Sequence, residues 1–229
     1  MGAMTAAPTG ATAAAAAAAA TPTPAAASET ASRFDAMFHA ADDPWGYATR
    51  WYERRKRALL LAALPRERYV RAFEPGCANG VTSAALAERC DSVLAWDSSA
   101  EALARARHRC AGNHAIRFEQ AAIPDAWPDG KFDLIVLNEL GYYLDAPRRR
   151  AVADHARAAL AADGCLVACH WRRPLDDGEA GGDAIHTELA RRLDRAPLCS
   201  HVEADFRIDL WCDLGHAAAR TPAEREGLA

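Results

Sequence analysis

The hydrophobic pattern switches repeatedly between two periods. Short apolar runs, closed by glycine, proline or an acidic residue, alternate with stretches that carry apolar residues at helical spacing. The first clear run, 70–74, holds Val70, Ala72 and Phe73 and ends on Glu74. Pro75 stops that strand, Gly76 and Gly80 make a tight turn, and Thr82 or Ser83 opens a helix reaching Cys90. Residues 92–96 form a second buried strand, closed by Asp97. The pattern then repeats, with a helix over 99–110, a strand over 116–118, a proline-rich turn over 124–130, a strand over 131–137, a helix over 147–160 and a strand over 165–171. After Asp133 the strand over 131–137 is wholly apolar, which suits the middle of a parallel sheet. A polar, glycine-rich loop over 172–182 leads to a helix capped by Asp183 and running to Arg195. Two strands close the pattern, 199–204 and 206–212, and their short connection favours an antiparallel pair. Upstream, Asp43 and Pro44 read as the cap and first residue of a helix to Leu64, with Glu53 and Arg57 paired on its surface.

Such an alternation predicts an α/β fold with a mostly parallel seven-stranded sheet, an antiparallel C-terminal strand and helices on both faces. A chain of 229 residues holds one domain with a sizeable core, placed over 33–214. Residues 1–32 are rich in Ala, Thr and Pro, with eight alanines in a row at 13–20, and read as a disordered tail, as do residues 215–229. The alanine run is too short to cross a bilayer and has no basic segment before it, so neither a membrane span nor a signal peptide is expected. With 27 basic and 31 acidic residues the formal charge is −4, and no basic excess points to nucleic acid. Seven scattered cysteines without a CxxC pair argue against a disulfide framework or a zinc site and favour a reducing cytoplasm. Cys165 and Cys169 fall on one strand face and read as a buried apolar pair.

Candidate chemistry gathers at the carboxyl ends of the strands, where open α/β sheets bind ligands. Counted from Gly76, a dinucleotide fingerprint would need glycine at 78 and 81, where the chain has Ala78 and Val81. The turn Glu74, Gly76, Cys77, Ala78, Gly80 instead resembles the acidic-x-G-x-G-x-G motif of Rossmann-like class I methyltransferases that use S-adenosylmethionine (SAM), with Ala78 in place of the middle glycine. That resemblance assigns Asp97 to the ribose hydroxyls, next to Ser98, although Asp97 could also cap the following helix. It assigns Ala122 and Ile123 to the adenine, Asn138 to the cofactor end of the fourth strand, Trp45 to the pocket roof, and one basic residue of 54–57, here Arg55, to the cofactor carboxylate.

A narrower resemblance, to the nodulation protein S family of SAM-dependent methyltransferases, rests on DPWGYATRWYERRK (43–56), FEPGCANG (73–80), AAIPDAWPDGKFDLIVLNELGYYL (121–144), His170-Trp171 and GDAIHTEL (182–189). Proteins of that family N-methylate the deacetylated terminal glucosamine of a chitooligosaccharide signal, so the resemblance implies N-methylation of an amino sugar or related small amine. An amine acceptor must lose its proton before it attacks, and free alkyl amines have a pKa of about 10.4. Glu139 and His170, at the ends of central strands, are the candidates to hold the ammonium and accept that proton. Tyr142, Tyr143, Trp171 and His186 are the candidate substrate contacts. No Asp/Glu/His cluster has metal-ligand spacing, which argues against a magnesium-dependent O-methyltransferase. Three other readings stay open at this level: a small-molecule O-methyltransferase, an NAD-binding oxidoreductase, and a SAM-binding protein without turnover.

Overall fold

The computed structural model describes residues 24–173, 175, 180–212 and 221–228. The expectations for residues 1–23, the middle of the 172–182 loop and residues 213–220 lie outside the described residues. The first helix, α1 (Pro24–Ala40), begins inside the stretch expected to be a tail. Proline at the first helical position lacks only an N–H that would be unpaired there anyway, so Pro24 can start the helix. Phe34 and Phe38, four residues apart, give α1 an apolar face, and Phe38 is buried.

Helix α2 (Trp51–Ala63) starts seven residues after Pro44, which corrects the expected helix start. The Asp43 carboxylate accepts from the Tyr47 and Ala48 amides at 2.8 and 2.9 Å, closing a turn, and Gly46 at φ +72° takes the chain out of helical geometry. Glu53 pairs with Lys56 at 3.0 Å in place of Arg57. The remaining elements follow the alternating pattern: β1 (Tyr69–Pro75), α3 (Val81–Ala87), β2 (Cys90–Asp97), α4 (Ala100–Arg109), β3 (Ile116–Gln120), β4 (Phe132–Asn138), a 3-10 turn (Gly141–Tyr143), α5 (Ala146–Ala159), β5 (Leu160–Trp171), α6 (Gly182–Leu193), β6 (Cys199–Val202), β7 (Phe206–Cys212) and a short α7 (Pro222–Arg225) within the expected C-terminal tail. Two caps differ from expectation. Ser99, not Asp97, caps α4, its hydroxyl accepting from Ala102 N. Gly181, not Asp183, stands at the start of α6, because the Asp183 carboxylate is held by Arg172 at 2.9 Å.

The seven strands lie in the order β3-β2-β1-β4-β5-β7-β6. Strands β1 to β5 are parallel, and β7 runs antiparallel to both β5 and β6. Strand alternation sorts the core into two layers. Phe73, Ile135, Leu137 and Leu166 face α5 and α6, while Ala72, Leu134, Val136 and Val167 face α2, α3 and α4. Cys165 stands opposite Cys212 in the β5/β7 register and is bonded to it, correcting the expectation of free thiols. The pairing was invisible in the spacing because it depends on which strand lies beside β5. No described helix is long and apolar enough to cross a membrane.

Candidate functional site

Strand order reverses between β1 and β4, and the carboxyl ends of those strands open into a cavity of about 370 Å³. That is a volume within the range of small-molecule sites. Its floor is the turn after β1. Gly76 is at φ +71° with a Leu140 methyl 3.0 Å from where a Cβ would stand, so the chain passes close beneath the cavity there. Ala78 is held at φ +48°, a left-handed position that costs a non-glycine residue roughly 1 kcal/mol or more. What holds it is Asp97: Oδ2 accepts from Ala78 N at 2.8 Å and Oδ1 from Ser99 N at 2.9 Å. A carboxylate oxygen can accept more than one hydrogen bond, and Asp97 lines the cavity, which fits two neighbouring hydroxyls of a ribose. Burial pushes the Asp97 carboxyl up, against those amide bonds. Glu74 is fully enclosed, accepts from the Ser83 hydroxyl, and is pushed up to about 8 by burial, with Asp97 adding to the shift.

The roof comes from α1 and the turn before α2. Ser99 Oγ donates to Asp35 Oδ1 at 2.6 Å and fastens α1 to α4. Phe34 and Phe38 pack edge-on to Trp45 at 6.1 and 5.5 Å, Phe34 meets Tyr143 at 5.1 Å, and Tyr47 stacks on Trp45 at 5.5 Å. Asn79 Nδ2 donates to Asp43 Oδ1 at 3.1 Å, tying this turn to the glycine turn below.

At the end of β4 lies a buried charge cluster. Lys56, 5% exposed, contacts Glu139 Oε1 at 2.6 Å and Glu53 at 3.0 Å. Glu139 sits at φ +54°, and its second oxygen accepts from Trp171 N at 3.2 Å. Burial pulls Lys56 down, but Glu139, Cys169 and Glu53 outweigh it and hold the ammonium above its ordinary value. Glu139, despite the same contact, is held above the usual carboxylate range by burial. The two shifts point opposite ways for the pair's charges; a 2.6 Å contact favours the ionised pair, so Lys56 governs. Burial, then Glu139 and Tyr143, push the Tyr47 phenol well up.

Of the residues singled out in the sequence, Trp45, Glu74, Gly76, Cys77, Ala78, Asp97, Ser98, Ala122, Ile123, Asn138, Glu139 and Tyr143 line this cavity. Six do not. Arg55 faces away and forms a two-bond pair with Glu203 at 2.7 and 2.9 Å. Gly80 lies behind the turn, at φ +74°, where a Cβ would stand 3.0 Å from Ala106 Cα; its role is to let α4 approach. Tyr142 is 2% exposed and belongs to the core. Trp171 packs edge-on to Tyr52 at 6.1 Å. His170 and His186 are both enclosed, and His170 Nε2 is already occupied by Gly141 N–H at 3.1 Å, so it cannot serve as the base. Glu53 and Arg33 line the cavity and were missed; Tyr47 joins Trp45 there, and of the basic run 54–57 it is Lys56 and Arg57, not Arg55, that reach it. For Lys56 a signal existed: it stands four residues before the buried Leu60, on the same helix face.

The 3-2-1-4-5-7-6 sheet with its antiparallel β7, the glycine turn and the carboxylate closing β2 define a class I SAM-dependent methyltransferase. A family model for the methyltransferase domain matches residues 72–164. The chain is 32% identical to nodulation protein S of Bradyrhizobium diazoefficiens, the match covering 80% of this chain and 92% of the relative. It is 34% identical to nodulation protein S of Rhizobium tropici over 56% of this chain, a match that spans about half, 55%, of that relative's length. Among solved structures, a Pseudomonas syringae protein assigned to the methyltransferases is 55% identical, with TM-score 0.64, over 71% of this chain and 99% of its own. The N-methyltransferase NodS of Bradyrhizobium japonicum WM9, in complex with S-adenosylhomocysteine, is 25% identical, with TM-score 0.69, over 80% and 97%. The chain belongs to the nodulation protein S family of methyltransferases, and its cofactor is SAM.

Proposed function

We propose that the chain methylates the nitrogen of a small amine, of amino-sugar type, seated between Glu139 and Tyr143. The observation that carries this is the buried Glu53–Lys56–Glu139 cluster, two carboxylates to one ammonium, at the carboxyl end of β4. Its net charge of about −1 draws a cationic amine into a site of low dielectric, where charge is poorly screened. SAM, when bound, would supply an electrophilic methyl on sulfur, with the S–C bonding pair staying on that sulfur. Asp97, Gly76 and Ala78 would hold the cofactor, and Ala122 and Ile123 would flank its base. The bound ammonium first gives one proton to Glu139, which passes it to solvent, and the nitrogen lone pair so freed then forms the new N–C bond. The Lys56 contact keeps Glu139 an ionised carboxylate, ready to accept that proton. Tyr47 and Tyr143 supply aromatic faces that favour a cation. The reading includes a cytosolic setting, in which a reducing glutathione pool would keep Cys165 and Cys212 as thiols.

The test has two arms. Thermal unfolding with S-adenosylhomocysteine and, separately, with NAD checks the cofactor; a ligand at a hundredfold excess over its Kd adds about 2.7 kcal/mol. Release of S-adenosylhomocysteine is then followed with glucosamine, deacetylated chitooligosaccharides, simple alkyl amines and matched hydroxyl compounds. Turnover with amines and an N-methylated product supports the proposal. Turnover confined to hydroxyl compounds overturns it.

A further inference from the structure

Asp209, His186 and His170 form a buried line that ends on the loop carrying Glu139 and Tyr143. Asp209 Oδ2 lies 2.8 Å from His186 Nδ1, His186 Nε2 lies 3.1 Å from His170 Nδ1, and His170 Nε2 lies 3.1 Å from Gly141 N. All three side chains are at most 1% exposed. The residues come from β7, α6 and β5 in turn, elements far apart in sequence.

The two ends of the line fix every proton in it. Gly141 N–H can only donate, so His170 Nε2 is bare and its proton sits on Nδ1. That proton points at His186 Nε2, which therefore accepts, leaving the His186 proton on Nδ1. There it donates to Asp209, an ionised carboxylate that can only accept. The line has room for two ring protons and no third. A third would set two N–H groups against each other across 3.1 Å. Burial, together with the neighbouring His186 and Lys56, holds His170 well below its ordinary value, in keeping with two neutral rings. Both rings thus carry the proton on Nδ1, the less common tautomer of a free histidine side chain.

The far end of this line bears on the reactive end of the cavity. Gly141 follows Glu139 by two residues and opens the 3-10 turn that presents Tyr143. Space around Gly141 is closed: a Cβ there would stand 2.7 Å from Ile185 and 3.2 Å from His170 Nε2. Glu139 is in left-handed backbone geometry at φ +54°, which persists only where the surroundings fix it.

We propose that Asp209, His186 and His170 are positioning residues: a hydrogen-bond line of fixed tautomer that clamps the Gly141 amide and thereby sets Glu139 and Tyr143 against the acceptor. This rests on the reading that the acceptor sits between those two side chains. It needs no contact between either histidine and substrate.

The experiment is nitrogen NMR of the full chain, uniformly labelled with nitrogen-15, with S-adenosylhomocysteine bound. The expected result is a bare Nε2 and a protonated Nδ1 on both His170 and His186, unchanged across the neutral pH range. A protonated Nε2 on His170 overturns the proposal without any mutation. Amide exchange at Gly141 is the second readout. His186→Phe, which breaks the line, should speed exchange by about tenfold or more, a local opening, while amides in β1 and β4 stay protected. His186→Gln, whose amide can accept from His170 and donate to Asp209, should restore protection. Equal exchange in all three proteins refutes the clamp. Neither readout requires turnover, so inactivity toward amines would sink the functional reading and leave these outcomes standing.

Discussion

Replacing Lys56 by methionine removes the one cation of the buried cluster and keeps the length of its stem. The lysine ammonium stands 2.6 Å from Glu139 and 3.0 Å from Glu53, and its side chain is 6% exposed. At an effective dielectric near 20, a pair at this distance attracts by about 6 kcal/mol, part of which repays desolvation. Breaking a buried pair from one side costs about 3–5 kcal/mol, because the partner charge stays buried alone. For a domain of this size that lowers Tm by roughly 6–20 °C. The pH dependence gives the sign. The pairing lifts Lys56 above its ordinary value, so its contribution is full below the unfolded lysine range and lost only at strongly alkaline pH. Glu139, left alone in the variant, is instead a raised acid, favoured in the fold when protonated, so K56M should recover stability as pH falls toward 5, by up to about 1.4 kcal/mol per unit. Urea denaturation from pH 5 to 9 reads both effects. A second variant, K56M/E139Q, should regain a large part of the loss. A deficit below about 1 kcal/mol at pH 8, or one independent of pH, would mean that the cluster is screened like a surface ion pair. It would then supply no focused charge for an amine.

Asp97→Ala should weaken S-adenosylhomocysteine binding by about 1.5–3 kcal/mol, the scale of hydrogen bonds to a charged group, in isothermal titration; unchanged affinity would remove Asp97 from the ribose site. Arg55→Ala should leave that affinity unchanged, since Arg55 is engaged by Glu203; a clear loss would restore the arginine to the cofactor. Glu74 is raised from 4.5 to about 8, so its contribution is full below pH 4.5 and lost as pH rises toward 8. Glu74→Gln should therefore flatten the fall in stability of the ligand-free protein between pH 5 and 8, a slope of about 1.4 kcal/mol per unit, in urea titrations; an unaltered slope would place the proton elsewhere.

The alternation of apolar runs and helical spacing was sufficient to name six of the strands within a few residues and the two-sided sheet they build. Period and turn residues are local properties, and they survive in one dimension. So are Gly76 and Asp97, because a backbone that passes close beneath a cavity and a carboxylate at a strand end each leave a residue-level mark. Local signals misled wherever one residue had two partners to choose from. Asp43 looked like a helix cap, and it closes a turn that Asn79 reaches from the glycine loop. Asp183 looked like a cap, and Arg172 takes its carboxylate. By intrinsic pKa His170 read as the better base, with Glu139 able to orient the amine without titrating. Only the packing of β7 and α6 against β5 gave His170 its buried partners, while the phase of α2 brought Lys56 to Glu139. Which side chain is reactive depends on who its neighbours are across the sheet. That is a property of strand order and helix phase, and tertiary structure alone decides it.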